Sequence, residues 1–461
     1  MIEFENLQEL RKSLSIKADK KGLSHKINRK SMFLPFPTRA TERPKFRKGF
    51  EGVLGGFTRG VSGNNLKEEL DLEKLISNIC EIDEVTVEDK PFFEQILRLF
   101  LQDKKENIKV FHPHVFQYLP FNEGPEMKGE QEIARFLSDV LIEEDKQFEK
   151  VFEKNSSEDL VAKLVLHQLV GLEKTDRKIK YSSKLPHLSK MFRDDFSFLV
   201  KHEDYFKSHY EIFLSYYYFM YITQLTLKIS QKSKGKFDSN NEVFYTLDWE
   251  ATSKNRKSYG YGYQMIKEAA RTILIDINSL EHLNFLMGTD DSQSYSELRL
   301  TYEQLPSNDK ELLLEMLRLW IVEYRFHLAL PEKNLLESLN YDDLVTNLYS
   351  SIEEAYEKPT MLGTRNRYHL SIEEIGKKYF LKTRGSLGYM LNVSQDLLLL
   401  LTALSLKKER KSLKQVFLDL ELRGLYFDRY SQEEIVKLYD KLNLLDKKSD
   451  SGDAQYVKPI L

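Results

Sequence analysis

Thirteen lysines and arginines lie between residues 10 and 48 of this 461-residue sequence, where only two acidic residues occur. The formal net charge of the whole chain is −3, so basic residues are concentrated at this end. Clusters of lysine and arginine bind the phosphates of nucleic acids without reading base sequence. Pro35, Pro37 and Pro44 lack amide donors, which favours an extended arm over a helix. The sequence therefore predicts a phosphate-binding arm, whose contacting residues are Arg29, Lys30, Arg39, Arg43, Lys45, Arg47 and Lys48.

A second basic segment lies between residues 358 and 393, with seven basic residues against two acidic ones. Gly385 and Gly388 in its RGSLGY run would let backbone amides approach an anion closely. The predicted phosphate contacts are Arg365, Arg367, Lys377, Lys378, Lys382 and Arg384. A solvated connector with two turns is an equally good interpretation of the same residues.

The C-terminal residues 394–461 have the order of elements of a winged-helix module, three helices followed by a hairpin. Ser394 and Ser412 are predicted to cap the first two helices, Gly424 to end the second, and Ser431 with Glu434 to open the third. In DNA-binding modules of this kind the third helix lies in the major groove. From residue 428 onwards, however, seven acidic residues face six basic ones, which argues against phosphate contact. We therefore predict a protein-docking module, whose contacting residues are Gln432, Glu433, Lys437, Asp440, Asp450 and Asp453.

Patterns that would support catalysis or a cofactor are weak. The glycine-rich stretch 49–63 lacks the lysine and hydroxyl of a nucleotide-binding loop, and is predicted to be a flexible turn or a partner-ordered segment. Asp83 with Glu88–Lys90 is the nearest match to a metal-dependent nuclease, on cramped spacing. His112 and His114 supply two of the four ligands of a structural zinc site. Accordingly, no catalytic residue, metal site or cofactor is predicted.

Two further patterns have both a functional and a structural interpretation. Lys254, Arg256 and Lys257 precede three tyrosines at 259, 261 and 263, a combination that suits single-stranded nucleic acid. The glycines at 260 and 262 indicate a mobile loop equally well. Cys80 lies in an amphipathic helical pattern, which favours a core residue over a nucleophile.

The elements that must position these residues are predicted to be mainly α-helical, because apolar residues recur at three- and four-residue spacing and strand-like alternation is scarce. We divide the chain into a basic arm that contains glycine and proline (1–64), a helical domain (65–232), a loop or linker (233–262), a second helical region (263–357), a basic connector (358–393) and the winged-helix module (394–461).

The lone cysteine and the absence of a signal-like N-terminus favour a cytoplasmic protein. The longest apolar stretch, residues 212–229, is diluted by four tyrosines and several other polar residues. Tyrosine hydroxyls need partners that a protein core supplies and a bilayer does not, so a buried helix is predicted and no membrane contact.

Three stretches resemble one known family. The run RGLYFDRYSQEEIVKLYDKLNLLDKKSDSGDAQYVKPIL, the N-terminal LPFPTRATERPKFRKGFEGVLGGFTRGVSGN and the central SYYYFMYITQLTLKIS are similar to the G component of the DNA phosphorothioation-dependent restriction system, called DptG or DndG. The resemblance implies an antiphage role over the whole chain. It also implies two partners, the F and H subunits, which are related to ATPases and helicases, and a complex that restricts DNA lacking the phosphorothioate mark. It implies no catalytic residue for this component.

Three functions remain open on the sequence. The first is a non-catalytic subunit that contacts DNA phosphates and docks the partner ATPase. The second is a pure protein scaffold whose basic arm grips an acidic partner. The third is a divergent metal-dependent nuclease.

Overall fold

The computed structural model describes residues 2–16, 21–25, 32–81, 86, 88–103, 108–143, 145–154, 159–176, 178–333, 340–447 and 455–461. Within these ranges the protein is mainly helical, as predicted. The first nine helices are α1 (Glu5–Ser13), α2 (Glu51–Ser62), α3 (Leu72–Cys80), α4 (Lys90–Leu101), α5 (Glu126–Leu137), α6 (Leu160–Gln168), α7 (Pro186–Leu199), α8 (Glu203–Ser230) and α9 (Lys257–Gly260). The other nine are α10 (Tyr263–Leu286), α11 (Tyr295–Gln304), α12 (Ser307–His327), α13 (Tyr341–Tyr356), α14 (Pro359–Tyr368), α15 (Leu370–Tyr379), α16 (Gln395–Leu406), α17 (Leu413–Leu422) and α18 (Arg429–Lys441).

The described strands are short and form three small sheets. They are β1 (Asn64–Leu66), β2 (Leu172–Lys174), β3 (Thr246–Leu247), β4 (Leu381–Thr383), β5 (Tyr389–Val393), β6 (Lys411–Ser412), β7 (Leu445–Lys447) and β8 (Gln455–Val457). β1 pairs with β2; β5 lies between β3 and β4; and β8 lies between β6 and β7. The β3–β5 pair is parallel and the others are antiparallel. These sheets join distant parts of the chain rather than forming a layer.

Helix α8 is the centre of the core, and its C-terminal two-thirds are buried on all sides. The core supplies partners for three of the four tyrosines in residues 212–229, whereas the buried hydroxyl of Tyr218 has none among the described residues. Tyr216 donates to the carbonyl of Arg423 at 2.6 Å, Tyr217 donates to Asp195 at 2.7 Å, and Tyr221 accepts from the amide of Lys184 at 2.8 Å. In the part of the chain that the structure describes, no helix is long and apolar enough to cross a membrane.

The glycine-rich stretch 49–63 is a buried helix, α2, so the prediction of a flexible turn is wrong. Gly52, Gly55, Gly56 and Gly60 lie at helical spacing, and a Cβ on any of them would collide with a neighbour. The neighbours include Leu119 and Phe121 before α5 and Ser138 after it. The glycines therefore let α2 pack closely, which outweighs the low helix propensity of glycine.

The basic segment 10–48 is not a free arm within its described residues. Leu10 of α1 is fully buried, and α1 packs against α10. Phe33, Leu34, Phe36 and Phe46 lie in the main hydrophobic core, at most 6% exposed. The apolar residues interleaved with the lysines and arginines anchor the segment, while the prolines keep residues 32–37 and 44–46 out of a helix, as predicted.

The C-terminal residues form three helices, α16–α18, and the three-stranded sheet β6-β8-β7. Ser394 and Ser412 accept from the amides of Leu397 and Gln415, which confirms both predicted caps. Gly424 has a φ of +84° directly after α17, also as predicted. The predicted capping box at Ser431 is wrong, because Asp428 caps α18 and accepts from the Ser431 amide at 3.1 Å.

α6 begins at Leu160, and Asp159 caps it by accepting from the Ala162 amide. The predicted linker 233–262 contributes buried residues and strand β3, which pairs with β5 of the predicted connector. Packing also crosses the predicted division, since α8 and α10 lie side by side. The domain boundaries themselves stay a prediction.

Candidate nucleic-acid interface

Arg43 joins the two basic segments that the sequence singles out. Its Nη1 donates to the carbonyl of Arg367 at 3.0 Å, across 324 residues of chain. Its Nε lies 3.6 Å from the carboxylate of Glu374 in α15. The side chain of Arg43 is only 11% exposed, so its charge is used inside the protein rather than offered to a ligand.

A second set of contacts holds the two basic segments together at the start of α2. Glu211 of α8 accepts from the amide of Phe50 at 2.8 Å and from the hydroxyl of Tyr379 at the end of α15. Gly49 has a φ of +91° here, and a Cβ would lie 2.7 Å from the same carboxylate. Residues 43–50 therefore lie against α14 and α15, with contacts at Arg367, Glu374 and Tyr379.

Six basic residues in these two segments are exposed, and we call them the basic face: Arg39, Lys45, Arg47, Lys48, Arg367 and Lys378. Arg39 is 75% exposed and lies 3.3 Å from Glu42. The side chains of the other five make no ion pair with any residue that the structure describes. The Lys45 amide is held by Glu126 at 2.9 Å, which fixes the backbone and leaves the ammonium outside. The basic face therefore keeps nearly all of its charge at the surface.

The remaining predicted phosphate contacts within the described ranges are paired. Lys377 lies 2.5 Å from Glu373, and Lys382 lies 3.1 Å from Asp248. Burial raises the pKa of Glu373, but Lys377 and the hydroxyl of Tyr263 outweigh it and the pKa is lowered. Arg365 lies between Glu353 and Glu357, at 3.3 and 3.6 Å. Arg29 and Lys30 lie outside the described residues.

The RGSLGY run is the turn of the β4–β5 hairpin. Gly385 and Gly388 have φ values of +55° and +71°, which closes the turn. Arg384 donates to the carbonyl of Leu247 at 2.5 Å and to Asn392 at 3.1 Å. Arg384 therefore holds β3 to the hairpin. For this part of the segment, the interpretation as a connector fits better than the interpretation as a phosphate-binding site.

The tyrosine-rich stretch 254–263 is not a free nucleic-acid loop. Arg256 is 9% exposed and forms a bidentate pair with Asp428, at 2.6 and 2.7 Å. It also donates to Ser431 and Glu250. Burial would raise the pKa of Asp428, but Arg256 and the Ser431 amide outweigh it and lower the pKa. Tyr263 is buried against Glu373, whereas Tyr261 is 60% exposed.

The predicted docking residues lie on α18 or outside the described ranges. Glu433 pairs with Arg429 at 2.9 Å, and Lys437 with Glu434 at 2.6 Å, all within the helix. Gln432 donates to the carbonyl of Phe427, and Asp440 is exposed and has a partner. Asp450 and Asp453 lie outside the described residues. The positive and negative charges on the exposed side of α18 are therefore equal in number.

The weak catalytic patterns resolve into local contacts. His114 is buried and bonds the carbonyl of Phe152 at 2.7 Å, and burial lowers its pKa to about 4. Cys80 is buried in a small cluster formed with α3, α4 and α6, which confirms the core interpretation. Asp89 accepts from the hydroxyl of Thr86 at 2.5 Å, and Asp83 lies outside the described residues. The described residues contain no group of three side chains suited to hold a metal ion.

Sequence reasoning missed the acidic anchors Glu211 and Glu374. Each lies in a helical pattern that carries no signal of a distant partner. No protein-family model matches the chain, and no curated protein matches it in sequence.

Proposed function

We propose that this protein is a non-catalytic, DNA-contacting subunit of a phosphorothioation-dependent restriction complex, acting in the cytoplasm. The observation that carries the DNA contact is the basic face, where two predicted phosphate-binding segments meet. The assignment to this restriction system rests on the sequence resemblance to the G component. It brings with it the F and H subunits as partners, and DNA lacking the phosphorothioate mark as the target.

The charge pattern of the basic face suits backbone binding without sequence readout. Side chains of five of its six residues are unpaired among described residues, so they can neutralise phosphates without first breaking an internal ion pair. Each phosphate contact contributes about −0.9 to the slope of log affinity against log salt, so six contacts give a slope of about −5. A strong salt dependence is therefore the signature of this function.

Charge reversal tests the basic face without removing the core residues that a deletion of 10–48 would take away. We expect Arg47→Glu with Lys48→Glu to weaken binding to a 25-base-pair duplex by roughly 10- to 100-fold and to reduce the salt slope by about 2. Fluorescence anisotropy at several salt concentrations measures both quantities. The matched control is Lys437→Glu with Lys441→Glu on α18, which makes the same change in net charge.

Two outcomes would contradict DNA contact at the basic face. One is wild-type protein that binds no duplex at low salt, and the other is an equal loss for both double variants. Absence of DNA binding, together with an intact complex with F and H, would support the pure scaffold. Metal-dependent nicking by the isolated protein would support the nuclease.

We also propose that residues 394–461 are a winged-helix module that docks a partner protein rather than DNA. The order of its helices and strands supports the fold. Two features of α18 argue against DNA contact and so favour docking. Four of its charged side chains pair with one another, and Arg256 with its neighbouring loop holds the N-terminal end that would approach a DNA groove. We expect Glu433→Arg to reduce co-purification with the F and H subunits, whereas Glu409→Arg, on an exposed turn outside α18, leaves it unchanged.

A further inference from the structure

A cavity of about 650 Å³ lies beside the basic face. Its walls come from residues 32–39, from α10, and from α13 and α14, with α5 and the loop before α7 at one side. Sites for small molecules commonly enclose roughly 300–1,000 Å³. Arg39 and Arg367 belong both to the basic face and to the lining of the cavity, so the two features are continuous.

Aromatic side chains line the interior of this cavity. Phe36 and Tyr368 meet edge to face with ring centres 5.5 Å apart, and His25 lies 5.2 Å from Tyr356. Burial lowers the pKa of His25 to about 4, so this ring is neutral at pH 7. Tyr368 is 5% exposed, yet its hydroxyl makes no hydrogen bond with any described residue. The interior therefore offers flat apolar surfaces together with a hydroxyl that no described residue engages, which suits a planar heterocycle.

The mouth of the cavity is cationic. Lys180 is held by Glu132 at 2.6 Å and is not available to a ligand. Arg39 and Lys128 share one carboxylate, that of Glu42, at 3.3 and 3.7 Å. Arg367 has no ion-pair partner among described side chains. Apart from the Lys180–Glu132 pair, the charged lining therefore consists of three cations against Glu42 and the buried Glu281, and Arg367 offers its donors to an anion.

We propose that this cavity binds one nucleotide, with its base among Phe36, Tyr356 and Tyr368 and its phosphate at Arg39, Lys128 and Arg367. The choice of nucleotide rests on the proposed DNA contact at the adjoining face. The same chemistry has two sources, a free deoxynucleotide or an unstacked nucleotide of a bound strand.

Calorimetric titration of the full-length protein with the four deoxynucleoside 5′-monophosphates tests the cavity directly. We expect saturable binding, and weaker binding of deoxyadenosine, which lacks the phosphate. Thr364→Trp places an indole in the cavity from the half-exposed side of α14 and should abolish binding. Arg367→Gln should weaken binding roughly tenfold or more, because a charge-assisted contact to phosphate is lost.

Arg365→Gln is the matched control, since Arg365 lies on the same helix but pairs with α13 and does not line the cavity. It should change nucleotide affinity less than about twofold, a difference of under 0.5 kcal/mol. Thermal unfolding of each variant shows whether the fold survives. Equal losses for Arg365→Gln and Arg367→Gln would overturn the proposal.

Duplexes with and without one unpaired base distinguish the two sources. If the protein binds monophosphates and Thr364→Trp abolishes this binding, the ligand is a free nucleotide. If the duplex with an unpaired base binds more tightly than the paired duplex and Thr364→Trp abolishes this gain, the ligand is a nucleotide of a bound strand. Absence of both effects overturns the cavity proposal even if the fully paired duplex binds through Arg47 and Lys48. Nucleotide binding without any duplex binding instead removes the proposed DNA contact and leaves the cavity as a free-nucleotide site.

Discussion

The basic face and the C-terminal module use their cations in opposite ways. At the basic face, Arg47 and Arg367 make no ion pair with a described residue and are exposed to solvent. In the C-terminal module, Arg423 is buried and forms a bidentate pair with Asp195 of α7, at 2.6 and 2.7 Å. Arg256 does the same for Asp428 at the start of α18. The first arrangement leaves charge for a partner, and the second fixes the module to the helical body.

The difference between the two regions shows that a count of charges does not reveal which charges are available. Arg256 lies in a stretch that looks open to nucleic acid, yet its carboxylate partner lies 172 residues away in sequence. Lys48 looks no different in sequence but has no such partner among described residues. Whether a basic side chain is available to a ligand depends on which carboxylates the fold brings within 4 Å of it. Measurements of stability identify the cations that support the fold, and measurements of binding identify those that contact a partner.

The largest effect should come from removing a buried cation in the C-terminal module. Arg423→Met leaves Asp195 buried, with the hydroxyl of Tyr217 but no counter-charge among the residues that the structure describes. An uncompensated buried charge costs about 3–5 kcal/mol, so we expect a large fall in stability to chemical or thermal unfolding. The matched control is Arg410→Met, whose pair with Asp446 is 40% and 49% exposed and should contribute less than about 1 kcal/mol. Equal effects for the two variants would contradict the contrast between buried and exposed cations.

A buried carboxyl that forms no ion pair with any described residue extends the comparison. Asp276 of α10 is 1% exposed, and burial raises its pKa from 3.8 to about 7. Between these two values the folded state holds a proton that the unfolded state has released, so stability falls as pH rises from about 4 to 7 and then levels off. Asp276→Asn removes this loss, because the amide does not ionise.

We therefore expect the stability advantage of Asp276→Asn over the wild type to grow by about 2–3 kcal/mol between pH 5 and pH 8. Thermal unfolding at both pH values measures it. Asp291→Asn, at an exposed position after the same helix, should show no such growth. If the difference in stability between Asp276→Asn and the wild type is the same at both pH values, Asp276 is ionised in the folded protein at pH 5.

The local features of the fold could be predicted from the sequence. Ser394, Ser412 and Gly424 act within four residues of chain, so their roles as caps and helix terminator follow from residue type and spacing. The tyrosines of α8 were also interpretable, since their number excluded a bilayer. Helix α2 was missed although a signal existed, because Gly52, Gly56 and Gly60 recur at helical spacing between buried apolar residues. Glycine content outweighed periodicity in that prediction.

The candidate site could be predicted only in part. Residue type and clustering identified all six members of the basic face, but not that the two segments adjoin. That contact depends on Arg43, Glu211 and Glu374, which join parts of the chain more than 160 residues apart. Sequence spacing carries no information at that range. The cavity was missed for the same reason, because its aromatic lining comes from residues scattered between 25 and 368.

The smallest effect on stability should come from the basic face itself. Arg47→Gln with Lys48→Gln removes two exposed charges that have no ion-pair partner among described residues, so unfolding should shift by no more than about 0.5 kcal/mol. Affinity for duplex DNA should fall in the same variant. A cost above about 1.5 kcal/mol would show that these side chains support the turn at Gly49, in the way that Arg423 supports the module. Retained stability with reduced DNA affinity would instead mean that the fold keeps these cations unpaired at no benefit to itself, which is expected of residues that act on a partner.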